Sequence, residues 1–365
     1  MKINFKQLKR SEITACINGL DQQPYRSAQV INWVYEKLAM SFDDMTNIPR
    51  NLRVELNEIA SLSSVDLLKR SESVDSTQKF LFQLYDGETI EAILIPNVRG
   101  KELYTLCISS QVGCAMGCKF CETGKIGLIR NLRADEITDQ VLSVQRYLKK
   151  TSLSPDMSSS SHVDGDDMGR LIANIVFMGM GEPLNNFREV MTALSIITDL
   201  IGFSKRKVTL STSGLIPGIR MLPYNGPLVN LAVSLNATTD RIRNAIMPIN
   251  KKYPIKALLQ ACREFPLPSN RQITFEYVLL GGVNDSSDDA LRLVRLLKGI
   301  KSKINLIPFN PSGSSSHFIT PDELKVLEFQ SILSKAGLTV IVRKSSGDDI
   351  HAACGQLRAS YINNI

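Results

Sequence analysis

No apolar run in this 365-residue chain reaches the ~18–20 residues that a membrane crossing requires. The opening Met1-Lys2-Ile3-Asn4-Phe5-Lys6 lacks the apolar core of an export signal. A spaced disulfide framework is missing too: of seven cysteines, three crowd into eight residues, which suits a reducing compartment. The expected location is therefore the cytoplasm, away from membranes. What remains is ordinary for a globular protein, 43% hydrophobic and 22% charged, long enough for one large α/β domain and a smaller appendage. A net charge of +7 and a pI near 9.0 favour a polyanionic partner such as RNA, although equally basic proteins often bind none.

One further absence concerns the cysteines themselves. Cys114-Ala115-Met116-Gly117-Cys118-Lys119-Phe120-Cys121 is a C-x3-C-x2-C pattern behind a strand-like run from Leu103 to Ile108. No fourth cysteine follows at ligand spacing, whereas a tetrahedral zinc or an electron-transfer cluster needs four protein ligands. Three thiolates on one loop can hold three irons of a [4Fe–4S] cluster and leave the last iron open to a small molecule. That points to catalysis, with a structural zinc knuckle or free thiols as the alternative.

Along the chain, residues 1–60 read as a small helical module. Val30, Trp33 and Val34 share one helical face, and Pro49 opens a second helix. Its basic residues (Lys2, Lys6, Lys9, Arg10, Arg26, Lys37, Arg50, Arg53) form either a solvated face over a core holding Trp33 or an RNA-docking surface. Residues 61–100 form a β-hairpin extension, with β-rich runs at 79–84 and 89–95 around Asp86-Gly87. Glu91 alternates there with apolar neighbours, which by period places it toward solvent.

From 101 to 345 strands alternate with helices. Strands are predicted at 103–109, 172–178, 206–211, 229–235, 272–280, 303–309 and 339–343. Helices are predicted at 133–149, 188–201, 255–265, 286–300 and 321–336. This alternation implies parallel βαβ units and an α/β barrel, open or closed, with its chemistry at the C-terminal strand ends. The Ser- and Asp-rich 151–169 reads as a disordered surface insertion, whose His162 is expected to be inert. Residues 346–365 form a C-terminal loop carrying Cys354.

Four predicted strand ends carry small polar clusters: Gly179-Met180-Gly181-Glu182-Pro183, Ser211-Thr212-Ser213-Gly214, Ser234-Leu235-Asn236-Ala237 and Pro308-Phe309-Asn310-Pro311. Each alone is turn chemistry; together they suggest the lining of one ligand pocket, with Glu182 suited to an ammonium group. Cys16, Cys107 and Cys262 read as small core residues. Cys354, after Gly347-Asp348-Asp349 and before Gly355, reads as a loop residue near the active end.

The cysteine loop resembles that of the radical S-adenosylmethionine (SAM) superfamily. The motifs 107–114, 179–184, 234–238, 247–252, 305–310 and 347–357 narrow the resemblance to the RlmN/Cfr family of RNA methyltransferases, over nearly the whole chain. It implies a partial (β/α)6 radical-SAM barrel with a small N-terminal helical domain and a β-hairpin extension. It implies methylation of adenine C2 in 23S rRNA and tRNA, one [4Fe–4S] cluster held by Cys114, Cys118 and Cys121, and two SAM molecules per turnover. Gly181, Glu182, Ser211, Ser234, Leu235, Asn236 and Asn310 would contact SAM. Cys354 would accept a methyl group that a 5′-deoxyadenosyl radical then activates for addition to C2, Glu91 would take the C2 proton, and Cys107 would attack the sulfur of Cys354 and leave a disulfide. This borrowed scheme makes chemical sense, since C2 has no nucleophilic lone pair for direct transfer from a sulfonium. A reducing donor of flavodoxin or ferredoxin type and a monomeric enzyme are also expected. The chain departs from the family at Ser346, where arginine is common, and in the 151–169 insertion. The Cfr branch, acting at adenine C8, shares the same cysteines and is the nearest rival; a non-catalytic RNA-binding protein with a structural metal is the rival of a different class.

Overall fold

A buried lysine near the start of the chain fastens the N-terminal module to the rest. The computed structural model describes residues 2–97, 103–152, 171–311, 317–343 and 346–350. The module comprises β1 (Ile3–Asn4), α1 (Arg10–Asn18), α2 (Tyr25–Tyr35), α3 (Arg50–Ile59) and β2 (Ala60–Ser61), with β1 and β2 paired in parallel. Its core is apolar, with Phe5 edge-on to Phe42 beside Ile13, Val30, Val34, Leu52 and Leu56. Trp33 is only partly buried against this core, because its ring N–H must reach a partner: it donates to Asn47 Oδ1 at 2.5 Å. Lys6 also departs from the expectation of a solvated basic face. It is 1% exposed and pairs at 2.6 Å with Asp139 of α5 (Ala134–Ser152).

The Asp86-Gly87 hairpin forms as expected, with Gly87 at φ 84° between β4 (Gln78–Leu84) and β5 (Thr89–Pro96). A third antiparallel strand, β3 (Val65–Glu72), pairs with β4. Its sequence hid it: the strand carries an irregularity between Leu67 and Lys69 and is mostly exposed, so no clean alternation marks it. On its other side β5 pairs with β6 (Tyr104–Cys107), so the hairpin continues the barrel sheet. Glu91 accordingly does not face solvent. It is 2% exposed, because β5 lies between two strands and both of its faces are covered.

The barrel units follow in chain order. After β6 come β7 (Gln111–Gly113), α4 (Glu122–Ile126), β8 (Leu128–Asn131) and α5, then β9 (Ile172–Phe177), α6 (Phe187–Asp199), β10 (Val208–Thr212) and α7 (Ile216–Asn225). The chain continues through β11 (Asn230–Ser234), α8 (Asp240–Ile246), α9 (Ile255–Glu264), β12 (Ile273–Leu279), α10 (Ser287–Leu297), β13 (Ser302–Pro308), α11 (Glu323–Lys335) and β14 (Thr339–Val342). Strands β6 and β9–β14 run parallel in one ten-stranded sheet, ordered β14-β13-β12-β11-β10-β9-β6-β5-β4-β3. Apolar residues on one sheet face pack on the helices, as Phe80 does on Tyr147 and Tyr277 on Phe329. The opposite face of β5, β6 and β9 carries the separate Ile93, Cys107, Val176 cluster. The predicted insertion with His162 and the loop carrying Cys354 fall outside the described residues, apart from 151–152, which end α5, and 346–350.

Candidate active site

The cysteine loop is clamped at its base by a two-stranded sheet that the sequence did not announce. β7 and β8 pair antiparallel, and Cys114 N–H donates to Gly127 C=O at 2.7 Å. Gly113 is obligatory there: its φ is 73°, and a Cβ would fall 1.9 Å from the Gly127 oxygen. The loop is tied to the end of α8 by Lys119 N–H donating to Ile246 C=O at 2.9 Å. Cys118 and Phe120 rest on an apolar shell that includes Ile246, Met247 and Phe309.

The loop faces a cavity of about 490 Å³ at the C-terminal ends of the parallel strands. Cys114, Cys118 and Cys121 all line it, as do Gly181, Glu182, Ser211, Ser234, Asn236 and Asn310. Leu235 does not; its side chain points back into the main core, which only the strand period could have told. Ser346, the departure from the family pattern, also lines the cavity, near Arg343.

Glu182 is 3% exposed and accepts hydrogen bonds through both oxygens. It accepts from Ser213 N–H and Oγ–H, both at 2.7 Å, and from Leu184 N–H at 3.1 Å. Burial raises its pKa above the usual carboxylate range, and the Ser213 bonds oppose that. Its N–H donates to Gln111 Oε1 at 2.8 Å, joining the loops after β6 and β9. Gly179 and Gly181 make this junction possible, for a reason internal to the protein. A Cβ at 179 would stand 2.7 Å from the Ile108 carbonyl, and one at 181 would stand 2.8 Å from Gln111 N.

Sequence reasoning passed over Arg243, which is entirely buried. Its guanidinium donates to Leu235 C=O (2.9 Å), Ser213 C=O (2.7 Å), Ser234 C=O (3.0 Å) and Asn250 Oδ1 (3.0 Å), gathering the mouths of β10 and β11. Burial lowers its pKa to about 10. Asn236 adds a bridge: at φ 55°, it accepts from Val278 N–H at 2.8 Å. Nothing in the local sequence around Arg243 signals burial.

Glu91 and Cys107 lie off the cavity lining but on one face of the sheet, since Cys107 pairs with Ile93, two residues from Glu91. The Ser109 hydroxyl ties the Glu91 backbone to the loop after β9, donating to Glu91 C=O at 2.6 Å and accepting from Met180 N–H at 2.9 Å. Burial pushes the Cys107 thiol up to about 12, against the pull of the Met178 N–H and the Arg343 charge. All six described cysteines are free, and Cys354, the expected methyl acceptor, lies outside the described residues.

The three loop thiols fit a cluster. Burial raises the pKa of Cys114 to about 12 and that of Cys118 further still, with neighbouring thiolates adding to both. Among the described residues, no fourth cysteine and no histidine lines the cavity. Among the described residues no three His, Cys, Asp or Glu side chains converge as ligands of a single ion. Three thiols on one loop at the cavity are the donor set that a multi-iron cluster with one open iron uses.

Comparison with known proteins agrees with this geometry. Residues 3–62 match the model of the ribosomal RNA large subunit methyltransferase N-terminal domain, and residues 165–294 that of the radical SAM superfamily, which starts beyond the cysteine loop. The chain is similar to the dual-specificity RNA methyltransferase RlmN of Geotalea uraniireducens, 48% identical over 98% of this chain and 97% of that protein. That of Geobacter sulfurreducens is 48% identical over 98% and 92% respectively. A radical SAM methyltransferase crystal structure from Sphaerobacter thermophilus is 38% identical, covers 97% of this chain and 98% of that one, and superposes with a TM-score of 0.86.

Proposed function

The chain belongs to the RlmN family of radical SAM RNA methyltransferases, and on that premise we propose that it methylates adenine C2 in 23S rRNA and tRNA. The observation that carries the reading is the sharing of one cavity by the three-cysteine loop and the polar strand ends. Cys114, Cys118 and Cys121 would hold the [4Fe–4S] cluster. Glu182, Ser211, Ser234, Asn236 and Asn310 would hold SAM, Glu182 suiting its ammonium group, with one SAM methylating the protein and a second being cleaved in each turnover. When bound, the cluster and SAM supply a 5′-deoxyadenosyl radical.

The chain's own residues account for the remaining needs. Cys354 would carry the methyl carbon. Glu91, 2% exposed, would act as the base for the C2 proton, and Cys107, opposite Ile93 on the same sheet face, would be the resolving thiol. An RNA adenine must leave its stack to reach a cavity at the barrel mouth, which suits loop RNA over duplex. The N-terminal module would dock that RNA, and a flavodoxin- or ferredoxin-type protein would supply electrons to a monomeric enzyme.

RNA from a deletion strain, analysed by mass spectrometry, should lack 2-methyladenosine and regain it with the wild-type gene but not with Cys114→Ala. Loss of 8-methyladenosine instead would transfer the protein to C8 chemistry. Cys107→Ala should accumulate a covalent protein–RNA adduct; no adduct would remove Cys107 from its role.

A further inference from the structure

The cavity contains a second buried carboxylate that none of these roles uses. Glu276 lies in β12, in register with Ser234 of β11 and Asn305 of β13, and is 5% exposed. Its Oε1 accepts from Asn305 Nδ2 at 2.9 Å. Its Oε2 is buried and accepts no hydrogen bond from any described residue. Both oxygens of Glu182 accept hydrogen bonds from the protein, whereas only one oxygen of Glu276 accepts one from a described residue. A buried carboxylate oxygen without a donor is costly, and proteins retain one where a bound group completes it. The terminal torsion of glutamate is soft, so either oxygen can turn toward the cavity.

We infer that Glu276 binds the ribose of SAM, its spare carboxylate oxygen accepting a hydrogen bond from a ribose hydroxyl. This rests on the proposed use of the cavity for SAM. Position selects the ribose. The methionine end belongs beside the cysteine loop and Glu182, after β6 and β9, and Asn310 closes the far side after β13. β11 and β12 lie between, so Ser234 and Glu276 face the middle of the cosubstrate, which is its sugar. Chemistry agrees: a buried acidic side chain on a ribose hydroxyl is how dinucleotide sites hold their sugar. Two carboxylates in one cavity also suit a cosubstrate whose sulfonium and ammonium outweigh its single carboxylate.

The test is calorimetric binding of S-adenosylhomocysteine and its 2′-deoxy and 3′-deoxy analogues to the full-length, cluster-reconstituted protein. Wild type should bind S-adenosylhomocysteine and lose about 10- to 100-fold on removal of one hydroxyl, the strength of a charge-assisted bond. Glu276→Gln, which keeps the volume and the Asn305 contact, should weaken the parent ligand by about tenfold or more and no longer discriminate against that analogue. Glu276→Leu should behave likewise, and if it fails to fold the Gln variant decides. A Gln variant that keeps wild-type affinity and discrimination overturns the assignment; if it loses RNA affinity instead, Glu276 belongs to the target adenosine. Failure of wild type to bind S-adenosylhomocysteine at all would overturn the SAM reading of the cavity, and this inference with it.

Discussion

Arg243 shows how much one side chain can decide. It serves three backbone carbonyls and Asn250 from a fully buried position, so Arg243→Met would leave those acceptors unpaired. We expect a loss of about 3–5 kcal/mol in urea unfolding, in line with breaking other buried charged networks; a loss under about 1 kcal/mol would contradict the geometry. Cys107 gives a prediction with a sign. Its thiol is held near 12 when folded and titrates near 9 when unfolded, so the folded state binds more protons between those values. Stability is therefore full below pH 9 and falls as pH rises beyond it, by at most about 1.4 kcal/mol per pH unit for this group. Urea midpoints from pH 8 to 10 should decline less steeply in Cys107→Ser than in wild type, and equal slopes would show that Cys107 ionises freely. Residue identity alone gave neither result, since cysteine and arginine are as common outside such sites as within them.

Elements are where sequence and structure agree best. The seven parallel strands of the ten-stranded sheet were legible, as were five of the helices packed on it and α2 and α3 of the N-terminal module, because long periodic runs mark them. Others were not: β7, β8, α4 and α8 carry too few residues for a period to emerge, and β3 loses its period at the Leu67–Lys69 irregularity and lies mostly exposed. The seam between α5 and the N-terminal module is decided at this scale. Asp139 accepts from Lys6, Arg146 and the Ser64 N–H, so it holds two segments remote in sequence. Lys6→Met should cost about 1–3 kcal/mol, because Asp139 keeps its other donors. Hydrogen exchange should show residues 3–62 losing protection before the barrel in that variant; uniform loss across the chain would mean that the seam does not divide them.

At the scale of the whole molecule the charge of +7 becomes a statement about binding. RNA affinity should fall linearly on a log–log plot against salt, with a slope set by the phosphates neutralised. A filter-binding series from 50 to 200 mM salt reads this directly, and a flat line would remove electrostatics from RNA capture. No described helix is long and apolar enough to cross a membrane.

The sequence by itself determined the chemistry available: three thiols on one loop, polar strand ends, an alternating βα frame and a family pattern to which they belong. Period and spacing suffice for these because they are local. Tertiary structure decided which side chains are dry and what they touch. Glu91 and Glu276 both alternate with apolar neighbours, a pattern shared by half-solvated strands, and only the flanking strands and the elements packed over the sheet place them inside. Lys6 looked like surface charge until α5 supplied its carboxylate. Burial is a property of the partners that cover a residue, and those partners lie far away in the chain.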